Sequence, residues 1–255
     1  MPRRICRGLP HRLRRLRALS ISNARILEQP LPPRAFTLPI RLQDPGTDHS
    51  SRIPRIPRYG ALAGRQNESF LDVELLKSAF LAPLEKHHNH IAVLILEFGA
   101  LPPRELEYLE RSLEKLSQFI RLTPHSMRFA VEIRNPELLT PDYFSCLREH
   151  GVAHVYNAWT QMPDLPEQIA LPGSMTADFI VCRALLRHAR TYEQAVAKFE
   201  PYSELQDEYL PAREGLRELV QIDSGAPVPR FIFVNNRLEG NAPSTIEAIL
   251  STGEW

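Results

Sequence analysis

Glu132 and Arg134 stand two residues apart in RFAVEIRNP, a spacing that on a strand turns both side chains toward one face. A carboxylate beside a guanidinium is favoured in its charged form, so the pair suits orienting a substrate or supporting a metal better than donating a proton. These are the candidate catalytic residues. Glu97, which follows VLIL, offers a second carboxylate for acid–base work. Asn157 and Trp159 in VYNAW, Arg183 in IVCR, and Asn235 and Asn236 in FVNN are the candidate substrate-binding residues with Glu97. The arginine forks match carboxylate and phosphate geometry, and Trp159 supplies an apolar wall. The implied partner is a small polar or anionic ligand. Against each residue stands a plainer reading, a buried ion pair that fixes a strand end or an asparagine that caps a turn.

Other chemistry finds less support. His87, His88 and His90 precede Ile91 without an HExxH pattern or a cysteine partner, and read as a solvated loop. His154 alternates into a strand and reads as a satisfied core histidine. No GxSxG elbow occurs. No spacing names a metal or a cofactor.

The elements that must carry these residues repeat a strand–helix pair. Asp72 can cap a first helix whose apolar face holds Val73, Leu76, Ala79 and Phe80, and Pro83 is expected to stop it. Ile91 to Phe98 is a continuous apolar run, the form of a strand buried on both faces. A helix from about Pro103 to Leu122 follows, with Leu106, Leu109, Leu113, Leu116 and Ile120 spaced by three and four. Strands are then predicted at Arg128–Ile133, Ala153–Asn157, Ala177–Arg183 and Arg230–Val234. Helices are predicted at Pro141–His150, Tyr192–Phe199, Ala212–Ile222 and Pro243–Leu250. Between Met162 and Gly173 the chain is only a proline-punctuated connection.

Alternating strands and amphipathic helices predict an α/β fold with a parallel sheet. With no glycine-rich turn after the first strand, a TIM-like (β/α)8 barrel is favoured over a doubly wound sheet. In such a barrel all the polar strand ends share one mouth. About five C-terminal βα units are found between residues 91 and 250, and three more would need roughly 95 residues ahead of Ile91. At most one further strand, Ala35–Arg41, is legible there. The expectation is an incomplete barrel with open edges on the Ile91 and Phe231 strands.

Composition bounds the rest. Residues 1–57 are rich in arginine and proline and read as a low-order segment, with residues 58–255 as the partial barrel domain. An organelle leader, a nucleic-acid-binding arm and a misplaced or frame-altered start are the readings open for that head. Eight arginines and no acid lie within residues 1–25, so the remainder holds 23 basic against 30 acidic residues. Such a body disfavours nucleic-acid binding. Cys6, Cys146 and Cys182 show no metal or redox spacing, which fits a reducing cytoplasmic setting. Apolar runs fall well short of the ~20 residues of a membrane span.

The segments RFAVEIRNPELLTPDYF, LREHGVAHVYNAW, TADFIVCRALL and FIFVNNRLEGNAPSTIEAI, with PRYGALAGRQNESFLD and VLILEF upstream, together resemble the YecE-like family, a domain of unknown function numbered seventy-two. The likeness runs from about Pro57 to Leu250. It implies a TIM-barrel protein, bacterial and cytoplasmic for the most part, without an established activity. The family's usual opening strands, the first ending in a Gly-Thr-Ser-Gly-Trp-like motif, are not found here, in agreement with the strand count. The leading expectation is an enzyme acting on a small polar or anionic substrate at the barrel mouth. A non-catalytic ligand- or protein-binding module and an inactive truncated fragment are the alternatives.

Overall fold

The computed structural model describes residues 34–40, 71–100, 109–124, 126–222 and 227–251, with 34–40 and 109–112 as backbone only. The expectations for residues 1–33, for PRYGALAGRQNESF and for the start of the helix at Pro103 lie outside these residues. By its contacts the chain divides into two units.

In the first unit, β1 (Arg34–Ile40) runs parallel to β2 (Ile91–Phe98), with Thr37 opposite Ile95 and Pro39 opposite Glu97. The expected open edge on the Ile91 strand is therefore corrected, because β1 pairs along its length. Val93, Leu94, Ile95 and Leu96 are all buried, as a run without alternation predicts. The helical segment α1 (Val73–Leu75) begins where the Asp72 carboxylate accepts from the backbone N–H groups of Glu74 and Leu75, each at 3.0 Å. Pro83 does not stop it. A π-helical stretch, Leu76–Leu81, makes the Ala82 N–H donate five residues back to the Lys77 carbonyl. Pro83 then falls in the first turn of Ala82–Leu84, where no N–H is needed. Tight 3-10 turns over Glu85–His90 lead into β2. Helix α2 (Leu109–Arg121) buries Leu116, Phe119 and Ile120.

The second unit contains β3 (Phe129–Glu132), β4 (Ala153–Ala158), β5 (Ile180–Ala184) and β6 (Arg230–Val234), parallel neighbours in chain order. Each step is bridged by helix: α3 (Pro141–Glu149), α4 (Leu165–Ala170), then α5 (Tyr192–Phe199) with α6 (Leu210–Gln221), and α7 (Ala242–Leu250) follows β6. Strands laid down in sequence order are singly wound, as in a barrel, whereas a doubly wound sheet reverses direction beside its first strand. The fold is thus α/β with the strand order of an incomplete TIM-like barrel.

Local chemistry explains the boundaries. Thr140 Oγ1 accepts from the Tyr143 N–H at 3.2 Å, Pro141 opens α3, and Gly151 at φ +64° ends it in the left-handed region. The proline-punctuated connection contains α4, which periodicity does not reveal. Pro166 sits in its first turn, and Glu167 Oε2 accepts from the Asp164 N–H at 3.0 Å. Strand β5 begins at Ile180 rather than at Ala177. The preceding Thr176 is tied to β4 by its side chain instead of the ladder, its Oγ1 donating to the Val152 carbonyl and accepting from the His154 N–H, both at 2.7 Å. The core between strands and helices gathers Tyr156, Leu165, Ile180, Cys182, Leu216 and Leu219.

Candidate functional site

Strands β3, β4 and β5 are parallel neighbours, and each carries a polar residue at its last or last-but-one position: Glu132, Asn157 and Arg183. Glu132 is the final residue of β3, and its side chain is 0% exposed. Its Oε1 accepts from Arg134 Nε at 3.1 Å, and its Oε2 accepts from Arg183 Nη1. Arg183 is a β5 residue, so this contact passes over β4. The two guanidinium side chains are 13% and 16% exposed. Arg134 also lies over the Trp159 ring, 3.9 Å from the centroid, a cation–π contact that fixes the plane of its fork.

Asn157 stands opposite Arg183 in the β4–β5 ladder. Its Nδ2 donates to the Ile133 carbonyl at 2.8 Å, which settles the amide orientation, because a flipped amide would set two oxygens against each other. The Oδ1 is buried and meets no donor among the described residues. Gln168 of α4, which the sequence reading missed, clamps the same residue. Its Oε1 accepts from the Asn157 N–H at 3.1 Å and its Nε2 donates to the Asn157 carbonyl at 2.7 Å. Behind the strand ends, burial and then the charges of Cys146 and Glu132 push the Tyr143 hydroxyl well up. Burial, then the Glu132 charge, likewise pushes up the Cys182 thiol.

A comparison with protein families matches residues 47–254 to "Protein of unknown function DUF72". The chain belongs to the DUF72, or YecE-like, family. No curated protein matches it. Among solved structures, a DUF72 family protein from Thermotoga maritima is similar at 21% identity with a TM-score of 0.44, over 71% of this chain. The chain spans 64% of the length of that relative.

The remaining candidates of this DUF72 chain belong to the ends of two other strands. Glu97 is half-buried near the end of β2, in the first unit. Asn235 and Asn236 follow β6, where their Oδ1 atoms accept from the backbone N–H groups of Arg237 at 3.0 Å and Ala242 at 2.8 Å. Their acceptors thus shape the turn into α7. His87, His88 and His90 are exposed on the turns before β2. Among the described residues no three His, Cys, Asp or Glu side chains are grouped so as to hold a metal ion. No described helix is long and apolar enough to cross a membrane.

His154 is buried as expected but only half satisfied. Its Nδ1 meets the Tyr143 hydroxyl at 3.2 Å, and Tyr143, Phe144 and Tyr156 pack edge-on around the ring. Its Nε2 is buried without a partner among the described residues. Burial lowers its pKa to about 3, so the imidazole is neutral at any physiological pH.

Proposed function

We propose that this chain binds a small hydroxylated anion at the strand ends that carry Glu132, Arg134, Asn157 and Arg183. The observation that carries this reading is the Asn157 amide, buried opposite Arg183 in the ladder with its oxygen unpaired among the described residues. An unsatisfied buried acceptor costs about 1–3 kcal/mol. A ligand hydroxyl that donates to it removes that cost, while the ligand's carboxylate or phosphate takes up the arginine forks. Trp159 is the apolar wall of the site.

In the enzymatic form of this reading, Arg134 and Arg183 stabilise charge that develops on the substrate. Glu132 is the positioning residue, since each of its oxygens already holds a guanidinium. In the binding-only form the same contacts hold a ligand without reaction. Cys146 and Cys182 are in no disulfide, which supports a reducing cytoplasmic setting.

Thermal unfolding of the full chain with glycolate, glycerate, glycerol 3-phosphate and the hydroxyl-free controls acetate and propionate tests the proposal. Hydroxylated anions are expected to raise Tm more than the controls, and Arg183→Gln and Glu132→Ala to abolish the difference. Shifts that survive in both variants would remove this cluster from any binding role.

A further inference from the structure

A second charge cluster in the same unit shares no side chain with the first. Asp207 Oδ2 accepts from Lys198 Nζ at 2.7 Å, from Arg187 Nη1 at 3.3 Å and from Arg190 Nη2. Three cations on one carboxylate leave two positive charges without a counter-charge in the cluster. Side-chain exposure rises from 13% at Arg190 through 31% at Arg187 to 47% at Lys198, so the group has a buried floor and an open rim. At the floor, the Arg190 guanidinium lies over the Phe199 ring, 5.1 Å from its centroid. Its Nη1 is buried and meets no acceptor among the described residues. A buried charged donor left unpaired is more costly than a neutral one, which points to an acceptor supplied from outside the chain.

The backbone beneath is held in advance of any ligand. Ala189, between the two arginines, has φ +59°, a left-handed conformation that costs a residue with a Cβ roughly 1–2 kcal/mol. It persists because its N–H donates to the Thr160 carbonyl at 2.9 Å while Thr160 Oγ1 donates to the Arg190 carbonyl at 2.6 Å. Arg187 lies over the Tyr209 ring at 4.6 Å, and the Asp207 N–H donates to the Glu239 carbonyl at 3.2 Å. Strain held by surrounding contacts and a pre-set fork are the features of a binding turn.

We propose that Arg187, Arg190 and Lys198 form a binding site for a phosphate monoester, with Asp207 as the internal anion that gathers the three cations. A monoester carries about −1.5 to −2 charge near neutral pH and so matches the two uncompensated positive charges. A diester, with a single charge, leaves one over. The planar forks contact two phosphate oxygens from the floor and side, and Lys198 closes the open rim as a point charge.

Calorimetric titration of the full chain with inorganic phosphate and methyl phosphate, which lack the alcohol hydroxyl that the strand-end reading requires, at ionic strength held constant with potassium chloride, tests this site. Saturable one-to-one binding is expected. Arg187→Gln and Lys198→Gln should each weaken it by about tenfold, and Arg121→Gln, which removes a positive charge from an exposed position outside both clusters, should leave it unchanged. The Lys198 change lies on an exposed helix surface, and an unaltered Tm for that variant separates lost binding from lost fold. Wild-type affinity in both variants, heat that follows ionic strength without saturating, or tighter binding of dimethyl phosphate would each overturn the proposal. Loss of phosphate binding in Arg183→Gln would also overturn it, by assigning the anion to the strand-end cluster instead.

Discussion

At the scale of single residues, Glu132 is the side chain on which most depends. Each of its two oxygens bonds a largely buried guanidinium, so Glu132→Ala removes a negative charge that both arginines share. Breaking a buried pair in this way costs about 3–5 kcal/mol. The expected outcome is a urea midpoint well below that of the wild type, with Glu132→Gln losing less because it keeps an acceptor. A midpoint unchanged in Glu132→Ala would mean that the arginines find other anions. The pairing of Glu132 with Arg134 was legible from their spacing on a strand. The reach of Arg183 was not, because it spans 51 residues and depends on the register of β3, β4 and β5. Gln168 was equally hidden, since its helix is marked by neither periodicity nor length.

Among the elements, the packing of α6 on α4 is the most tightly specified. Gly215 lies where α6 crosses the start of α4, and a Cβ there would overlap Leu165 Cβ and come within 3.1 Å of the Leu165 carbonyl carbon and Pro166 Cδ. Backbone cannot yield as a long side chain can. Gly215→Ala raises helix propensity, yet is expected to destabilise by about 1–3 kcal/mol through overpacking. Equilibrium unfolding that instead shows a gain near 1 kcal/mol would mean that the helices separate freely. Beside this contact, α6 is held to the β6–α7 turn by a buried ion pair: Arg213 Nε donates to Glu239 Oε1 at 2.9 Å, and that oxygen also accepts from the Tyr209 N–H at 2.6 Å. With its lone pairs occupied, the pair reads as a structural clamp. The same turn-and-clamp economy accounts for Asn235 and Asn236, whose position after a strand is shared by turn formers and ligand binders alike.

For the molecule as a whole, stability should carry a signature of the buried His154. Its folded pKa, about 3, lies below the ~6.5 of an unfolded histidine. Between these values the unfolded chain binds a proton that the folded chain refuses, so stability is complete above ~6.5 and falls as pH drops, by up to about 1.4 kcal/mol per pH unit. Denaturant titrations from pH 7 to pH 4 should show this slope in the wild type and a shallower one in His154→Phe. Equal slopes in the two proteins would place His154 in contact with water. Asp207 contributes with the same sign at lower pH. Burial alone would raise its pKa, but the bonds from Lys198 and Arg190 outweigh it and hold the carboxyl at about 2.

The alternation of buried strands with amphipathic helices, the helix starts at Asp72 and Thr140, and the placing of Glu132, Asn157 and Arg183 at strand ends were determined by the sequence alone. Each depends on residues within a few positions of one another, where periodicity and capping chemistry act. What only the tertiary structure decided was which of those groups meet. Glu132 takes Arg183 as well as Arg134, the Asn157 oxygen is left unpaired among the described residues, the Asn235 and Asn236 oxygens are drawn into a turn, and Arg187, Arg190 and Lys198 converge on Asp207. These pairings depend on strand register and on loops that fold back from distant parts of the chain. No local pattern encodes such distances, so the polar strand ends could be foreseen but not the charges that answer them.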